Sequence, residues 1–445
     1  MTTGCFSRNY SRMHDFRYVG RKLYCEGVAV ESLAQQYGTP LYVYSHHTLT
    51  DHFGKLDRAL APLDHLVCFA AKSNSNAAVV RTLANLGSGF DIVSEGELRR
   101  VMAAGAKPER CVFAGVGKTE REIEFALEQG IYSFNVESEP ELERIDRVAR
   151  RVGKIAPVAV RVNPNIDAGT HAKITTGTYQ NKFGIAFEKV AKVYARARKL
   201  KNLRLRGIQT HIGSQITEVK PFELAVKKLV PLVKELAQEY NFEFLSIGGG
   251  LGIMYQSALE SGAADWWKSP KAQRILTPAK YAEHLVPLLK PLGLRILIEP
   301  GRFIVGNAGI LVTRVEYVKQ TGRKNFVIVD AAMNDLIRPA FYESYHEIVP
   351  LKRNGRVSMR ADVVGPICES GDYFAKGRPL VNVEEGEYLA LLSAGAYGFV
   401  MASNYNTRAL AAEVMVHGNK AALVRERQPI EQIWQGEKVP AWLTQ

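Results

Sequence analysis

The chain predicts an α/β protein: a (β/α)8 barrel of the TIM type joined to a C-terminal all-β domain with Greek-key-like connections. Three observations carry that expectation. Short apolar runs alternate with amphipathic helical segments through the first two thirds of the sequence. Near residue 305 the alternation gives way to strand-like runs separated by turn residues. The residues suited to chemistry fall at the ends of the apolar runs, and a (β/α)8 barrel places function at the C-terminal ends of its strands.

The eight runs are 66–71, 89–93, 111–115, 131–136, 157–162, 206–211, 244–248 and 295–299. Between them, 95–104, 119–129 and 139–151 repeat apolar residues at the helical period. Ser94, three residues before Glu97, predicts a capping box at the first of these helices. Beyond 305, strands are expected at 309–318, 325–330, 360–364, 387–392 and 411–416. The resulting organisation is an N-terminal segment, 1–45, packing with the β domain, a barrel over 46–304, and a β domain over 305–445. No internal repeat or low-complexity linker interrupts it.

With 46% hydrophobic and 23% charged residues over 445 positions, the chain can bury a large core. No run reaches the length of a membrane span, and the first residues lack the apolar core of a secretory signal. Five cysteines, at 5, 25, 68, 111 and 368, are scattered without metal-ligand spacing. They fit free thiols in a reducing compartment, so the expectation is a cytoplasmic protein with no membrane partner and no metal. The net charge of +13 raises nucleic acid as a partner. The densest basic run, 189–206, has eight basic residues and no acidic one, but it reads as the solvated face of a helix and no nucleic-acid motif accompanies it.

The stretch CFAAKSNSN at 68–76 ends a buried run in Lys72. Asp91 lies in the second run and Arg161 near the end of the fifth. His211 closes the sixth, Gly248, Gly249 and Gly250 the seventh, and Glu299 the eighth, before Pro300, Gly301 and Arg302. Their chemistries fit one another. A glycine-rich turn after a strand offers backbone N–H groups to a phosphate, and Ser214 stands three residues after His211 to help. A histidine ring can lie on a flat cofactor. A carboxylate at a buried strand end requires a cation, and a protonated pyridine nitrogen is one. A lysine that can hold an aldehyde as a Schiff base completes the set that pyridoxal 5′-phosphate needs.

These residues belong to longer motifs: AAKSN, HIGSQ, GGGLGI, EPGR, MNDLIRPAFYESYHEI (333–348), GPICESGDYFAKGRPL (365–380) and SAGAYGFVMASNYNTR (393–408). With them the chain resembles the fold type III, pyridoxal 5′-phosphate-dependent amino-acid decarboxylases, and most narrowly the diaminopimelate decarboxylase family, over nearly its whole length. The resemblance implies decarboxylation of meso-2,6-diaminopimelate to L-lysine and CO2, the last step of lysine biosynthesis, in a homodimer with shared active sites. It implies that Lys72 carries the cofactor, that Asp91 and Arg161 support its surroundings, and that His211 stacks on its ring. Ser214, Gly249, Gly250, Gly301 and Arg302 would bind its phosphate or the substrate nearby, and Glu299 its pyridine nitrogen. Arg302, Arg338 and Tyr342 would hold the distal carboxylate of the substrate and Glu369 its distal amino group. Tyr397 would touch both cofactor and substrate. Cys368 would come from the partner subunit as proton donor.

A distal carboxylate and ammonium call for cations and an anion, which two arginines and a glutamate supply. Relatives acting on ornithine or arginine need no distal arginine pair, so a basic-amino-acid decarboxylase is the alternative. A racemase-like relative would need a tyrosine base, and a catalytically silent regulatory homologue would have lost Lys72 or Cys368. The loop 165–184, with Gly169, Thr170 and His171, is expected to act as a lid over the site.

Overall fold

Apolar runs rich in β-branched and aromatic residues, with no polar face, become strands buried on both sides, as a parallel sheet covered by helices requires. The computed structural model describes residues 12–167, 182–263, 266, 269–273 and 275–444. Its eight parallel barrel strands are β1 (His65–Ala70), β2 (Gly89–Ile92), β3 (Cys111–Phe113), β4 (Ser133–Val136), β5 (Ala156–Asn163), β6 (Leu203–Thr210), β7 (Phe244–Ser246) and β8 (Arg295–Ile298). β8 pairs with β1 through Leu297 opposite Leu66, and β4 closes onto β5 through Phe134 opposite Val158. Each strand thus has two neighbours and the sheet has no edge within the ring. Leu66, Cys68, Val112, Tyr132, Ala159, Phe244 and Leu297 fill one layer of its interior.

The helices between strands start where short polar side chains can take orphan N–H groups. Thr119 makes a full capping box with Glu122 on the helix Glu120–Gln129. The box expected at Ser94 is only half formed. Ser94 accepts from the Glu97 N–H at 3.1 Å, but the Glu97 carboxylate reaches one residue further back, to the N–H of Val93 at 2.8 Å. The basic run 189–206 is laced to acids: Arg196 to Glu139 and Glu143, Arg198 to Glu239, and Arg204 and Arg206 to Glu243. That pairing favours a solvated helix-and-strand face over a nucleic-acid surface.

The strands and helices of this unit lie in His46–Met254 and Ala263–Asn307. The second unit comprises His14–Ser45, Tyr255–Gly262 and the residues from Ala308 onward. Its main sheet runs, in spatial order, Tyr373–Val381, Ser358–Val364, Asn325–Val329, Gly309–Gln320, Leu41–Ser45, Ala412–His417 and Lys420–Arg425, with Tyr388–Leu391 branching off Gly309–Gln320 and Ile348–Pro350 pairing in turn with Tyr388–Leu391. The segment Leu41–Ser45 sits in mid-sheet, antiparallel to Gly309–Gln320 and parallel to Ala412–His417. Its alternation serves two cores. Leu41 and Val43 pack with Phe16, Leu23, Ile310, Val312 and Val414 on one face, and Tyr42 and Tyr44 with Leu311, Val329, Phe374 and Leu391 on the other.

The five strands expected beyond 305 all form, with ends shifted by one or two residues. Tyr373–Val381, not among the expected strands, contains Gly377 and Pro379; it forms an edge strand, where proline costs no ladder bond. Lys420–Arg425 is the other edge, largely exposed. Among the described residues no helix is long and apolar enough to cross a membrane.

After β3, Lys118 is almost wholly enclosed, its side chain 1% exposed. Its ammonium donates to the carbonyls of Gly115 and Asn135, each at 2.8 Å, and to Glu141 at 2.7 Å. This one cation ties β4 to the helix Glu139–Arg151. Removing one partner of such a pair strands a buried charge. Lys118→Met is therefore expected to lower stability by about 3 kcal/mol or more, and adding Glu141→Gln to recover a substantial part of it. Denaturant unfolding of both variants checks this; additive losses would contradict it.

Candidate active site

Eight strands that end on one rim bring together residues far apart in sequence. Lys72 lies in the turn Ala71–Ser73 directly after β1, and Asp91 in β2 beside it. Arg161 lies in β5, His211 directly after β6, Gly248–Gly250 after β7, and Glu299 directly after β8. All six groups marked in the sequence stand at the C-terminal ends of barrel strands.

The Lys72 ammonium donates to Asp91 Oδ2 at 2.6 Å, and its side chain is 40% exposed. Asp91 Oδ1 is buried and accepts no hydrogen bond among the described residues. Glu299, 6% exposed, has no cation within ion-pair distance among the described residues. It is held by three donors from three strands. Ser246 donates to Oε1 at 2.6 Å, Asn135 to Oε1 at 3.3 Å and Gln209 to Oε2 at 3.0 Å. Burial, with a smaller push from Asp91, raises its carboxyl to about 7, against the pull of Ser246, Lys72 and Gln209. This is a carboxylate prepared for a cation that none of the described residues provides.

The glycine turn is shaped by close approach. A Cβ on Gly249 would run into the Glu299 carbonyl, and Gly250, at φ +108°, would bring one within 2.6 Å of the Gly213 carbonyl. The turn is zipped to HIGSQI. Ile216 N–H donates to Gly250, Gly252 N–H donates to Ile216, and the Gln215 amide both donates to and accepts from the Ile253 backbone. Gly301 packs on the Lys72 turn, where a Cβ would lie 2.9 Å from the Ser73 side chain, and Ala70 N–H donates to Pro300. Arg302, 7% exposed, donates to Ser214 at 3.2 Å. The AKSN, HIGSQ, GGGLG and EPGR motifs thus form one rigid floor.

His211 Nδ1 accepts from the Gly249 N–H at 3.2 Å. A backbone N–H can only donate, so Nδ1 holds its lone pair and the neutral ring carries its proton on Nε2. Burial first, then Arg161 and Lys72, push the imidazole pKa well down, so a flat neutral ring is what the site presents. Arg161 is buried against Glu137 at 2.8 Å, and Glu137 also accepts from Gly184 N–H at 2.9 Å.

In the second unit Arg338, 5% exposed, opens the short helix Arg338–Tyr342. It donates to the Tyr255 hydroxyl at 2.6 Å and to Ser344 at 3.1 Å. Tyr342 stacks edge-on against Phe341. Cys368 and Glu369 are exposed. Cys368 N–H donates to Asn406 at 3.4 Å, and Tyr405 donates to Glu369 at 3.0 Å. Asp372, 3% exposed, pins this loop by accepting from Met333 N–H at 2.7 Å and Ile367 N–H at 2.8 Å. Tyr397 adopts φ +56°, a left-handed conformation that a bulky residue seldom takes. The residues sequence reasoning missed are Asn135, Gln209, Ser246, Glu137, Tyr255 and Asp372. A lone polar residue within an apolar run was the available sign for Asn135, Gln209 and Ser246. Gly169, Thr170 and His171 of the expected lid lie outside the described residues.

The residues present fit pyridoxal 5′-phosphate: a lysine at a strand end, a glycine cradle, a flat neutral ring and a buried carboxylate with no cationic partner among the described residues. A barrel with this rim defines a pyridoxal 5′-phosphate-dependent decarboxylase of fold type III. Residues 46–306 match the family model described as "Pyridoxal-dependent decarboxylase, pyridoxal binding domain". The chain is 49% identical to diaminopimelate decarboxylase of Vibrio cholerae, over 94% of this chain and 97% of that one. It is 47% identical to diaminopimelate decarboxylase of Pseudomonas aeruginosa, over 96% and 99%. The crystal structure of diaminopimelate decarboxylase from Helicobacter pylori complexed with L-lysine superposes with a TM-score of 0.85 at 38% identity, over 91% and 98%. The chain belongs to the diaminopimelate decarboxylase family, a family of carboxy-lyases.

The raised Glu299 carboxyl has a consequence for stability in the absence of cofactor. Its folded pKa lies above the unfolded value, so its contribution is fully present below about pH 4 and is lost as pH rises through about 7. Glu299→Gln does not suffer that loss. The melting temperature of the cofactor-free variant should rise relative to the native chain between about pH 5 and about pH 8; a gap independent of pH would contradict the assignment.

Proposed function

We propose that this chain decarboxylates meso-2,6-diaminopimelate to L-lysine with pyridoxal 5′-phosphate, in a homodimer of the cytoplasm. The observation that carries the reading is Glu299: a buried carboxylate aligned by three donors and paired with no cation among the described residues. When bound, pyridoxal 5′-phosphate supplies an aldehyde that amines capture and a ring that accepts the electron pair left when a bond at Cα breaks. Glu299 holds the proton on the pyridine nitrogen. Lys72 holds the aldehyde between turnovers and takes it back, its ammonium kept in place by Asp91. His211 covers the ring with a neutral face. Ser214, Gly249, Gly250 and the Gly301–Arg302 turn grip the phosphate side.

In the reaction the bond from Cα to its carboxylate breaks, CO2 leaves, and Cα gains one proton. Cys368 is assigned as donor of that proton, acting from the partner subunit, with Glu369 reading the distal ammonium. An exposed thiol and carboxylate on a pinned loop suit use across an interface. Arg338, Tyr342 and Arg302 hold the distal carboxylate, and a guanidinium already fixed by Tyr255 and Ser344 loses little freedom on gripping it. The four described cysteines are free thiols, which supports a reducing compartment.

The test is labelled CO2 release from diaminopimelate, ornithine, arginine and lysine in parallel. Release from diaminopimelate alone is expected; release from ornithine or arginine instead would keep the cofactor site and overturn the distal assignment. Lys72→Ala should lose the cofactor absorbance band of the linked state and all turnover. Arg338→Met should cut kcat/KM for diaminopimelate by about thirtyfold or more while leaving cofactor affinity unchanged. Equal losses in both would remove Arg338 from substrate binding. Mixing Lys72→Ala and Cys368→Ala chains should restore up to about a quarter of native activity, since half the dimers after exchange carry one intact site. No recovery would place Lys72 and Cys368 of one site on one chain.

A further inference from the structure

The three side chains around Glu299 have an arrangement that packing alone does not require. Ser246 accepts from the Gly248 N–H at 3.3 Å, so its own hydroxyl proton is directed to Glu299 Oε1 at 2.6 Å. Gly248 in turn accepts from the Glu299 N–H at 2.8 Å, closing a ring between the glycine turn and the carboxylate. Asn135 and Gln209 both present their NH2 ends to Glu299. Both leave the amide oxygen buried and without a hydrogen bond among the described residues. Leaving two buried acceptors unmet is costly, and rotating either amide would exchange the cost for repulsion against the carboxylate. The carboxyl therefore meets three donors. The ionised form accepts from all three with nothing left over; a protonated carboxyl would carry an O–H to which these three side chains, each presenting a donor, offer no acceptor.

We propose that Ser246, Gln209 and Asn135 are positioning residues that fix the ionisation state of Glu299, and through it the proton on the cofactor's pyridine nitrogen. This rests on the pyridoxal 5′-phosphate reading of the site and extends it to residues that do not touch substrate. Each of the three sits on a different strand, β7, β6 and β4, so the donors are set by the barrel and not by loops. Ser246 has a second consequence. It joins the turn that grips the phosphate end to the residue that grips the nitrogen end, so the two grips share one hydrogen-bonded ring. Without the donors, burial and the charge of Asp91 would draw the shared proton from the ring to Glu299. Each lost hydrogen bond moves that equilibrium about tenfold toward the neutral pyridine.

The experiment loads the full-length chain with pyridoxal 5′-phosphate labelled at the pyridine nitrogen and reads that nitrogen's NMR shift, which separates pyridinium from neutral pyridine irrespective of turnover. The native chain is expected at the pyridinium value and Glu299→Gln at the neutral value. Ser246→Ala and Gln209→Leu should fall between them, the double variant closer to neutral, and Ser246→Thr should return to the native shift. In steady state Ser246→Ala should lower kcat about tenfold with little change in KM. If Ser246→Ala fails to load, Gln209→Leu and Asn135→Ala carry the same reading. Native shifts in every cofactor-loaded variant but Glu299→Gln would overturn the proposal while leaving the cofactor pairing intact. A native shift in Glu299→Gln as well would overturn the pairing itself, and the proposal with it.

Discussion

A single carboxylate taken out of water organises the barrel end of this protein. Glu299 is nearly fully buried, and an uncompensated anion in such a place costs more than a domain's typical margin of stability allows. The fold answers with three uncharged donors, each from a different strand, and with no cation among the described residues. Local geometry follows from that choice. Gly249 is glycine because Glu299's carbonyl lies where its side chain would be. Ser246 is a short hydroxyl because it has to accept from Gly248 and donate to Glu299. Lys72 is turned to Asp91, which keeps the ammonium available at the rim and not committed to Glu299.

The same economy explains why the rim motifs are stretches and not isolated residues. The phosphate-side turn, the histidine loop and the turn after Glu299 are joined backbone to backbone, with Ala70 donating to Pro300 and Ile216 to Gly250. Main-chain hydrogen bonds between consecutive strand ends cannot shift one at a time, so the site is placed to the precision of the barrel itself. The neutral state of His211 belongs to this scheme. The N–H of Gly249 occupies Nδ1 while burial first, then Arg161 and Lys72, disfavour a second proton, so the ring offers a face and not a charge.

Much of this was legible in the sequence because strand-end chemistry is punctuated by it. Lys72, His211, Gly248–Gly250 and Glu299 each interrupt or terminate an apolar run, and a parallel barrel puts all such interruptions on one rim. Asn135, Gln209 and Ser246 were not legible, although they lie in the same runs. A single polar residue inside a β-run reads as one pointing outward, and only closure of the ring shows that positions 135, 209 and 246 converge on 299. Leu41–Ser45 was hidden for a related reason. Its Tyr–aliphatic alternation suits a strand at any place in a sheet, and its position between Gly309–Gln320 and Ala412–His417 depends on pairing across more than half of the chain. The reciprocal half of the Ser94 cap failed for a smaller cause: the Glu97 side chain is long enough to choose between adjacent N–H groups.

The two units divide the chemistry in a way that bears on how such enzymes differ. The match to the pyridoxal binding domain spans 46–306 and contains every residue assigned to the cofactor except Tyr397. Of the residues assigned to the substrate's far end and to the proton, Arg338, Tyr342, Cys368 and Glu369 lie beyond it and Arg302 lies within it. Cofactor chemistry breaks a bond at Cα whatever the side chain, so it places no demand on the distal groups. On the proposed assignment those demands fall largely on the sheet unit, where Tyr255 and Ser344 fix one guanidinium and Asp372 pins the loop that bears the thiol. On that assignment a change of substrate would call for new residues on short, separately anchored segments and at the turn after Glu299, and none in the strands that hold Glu299.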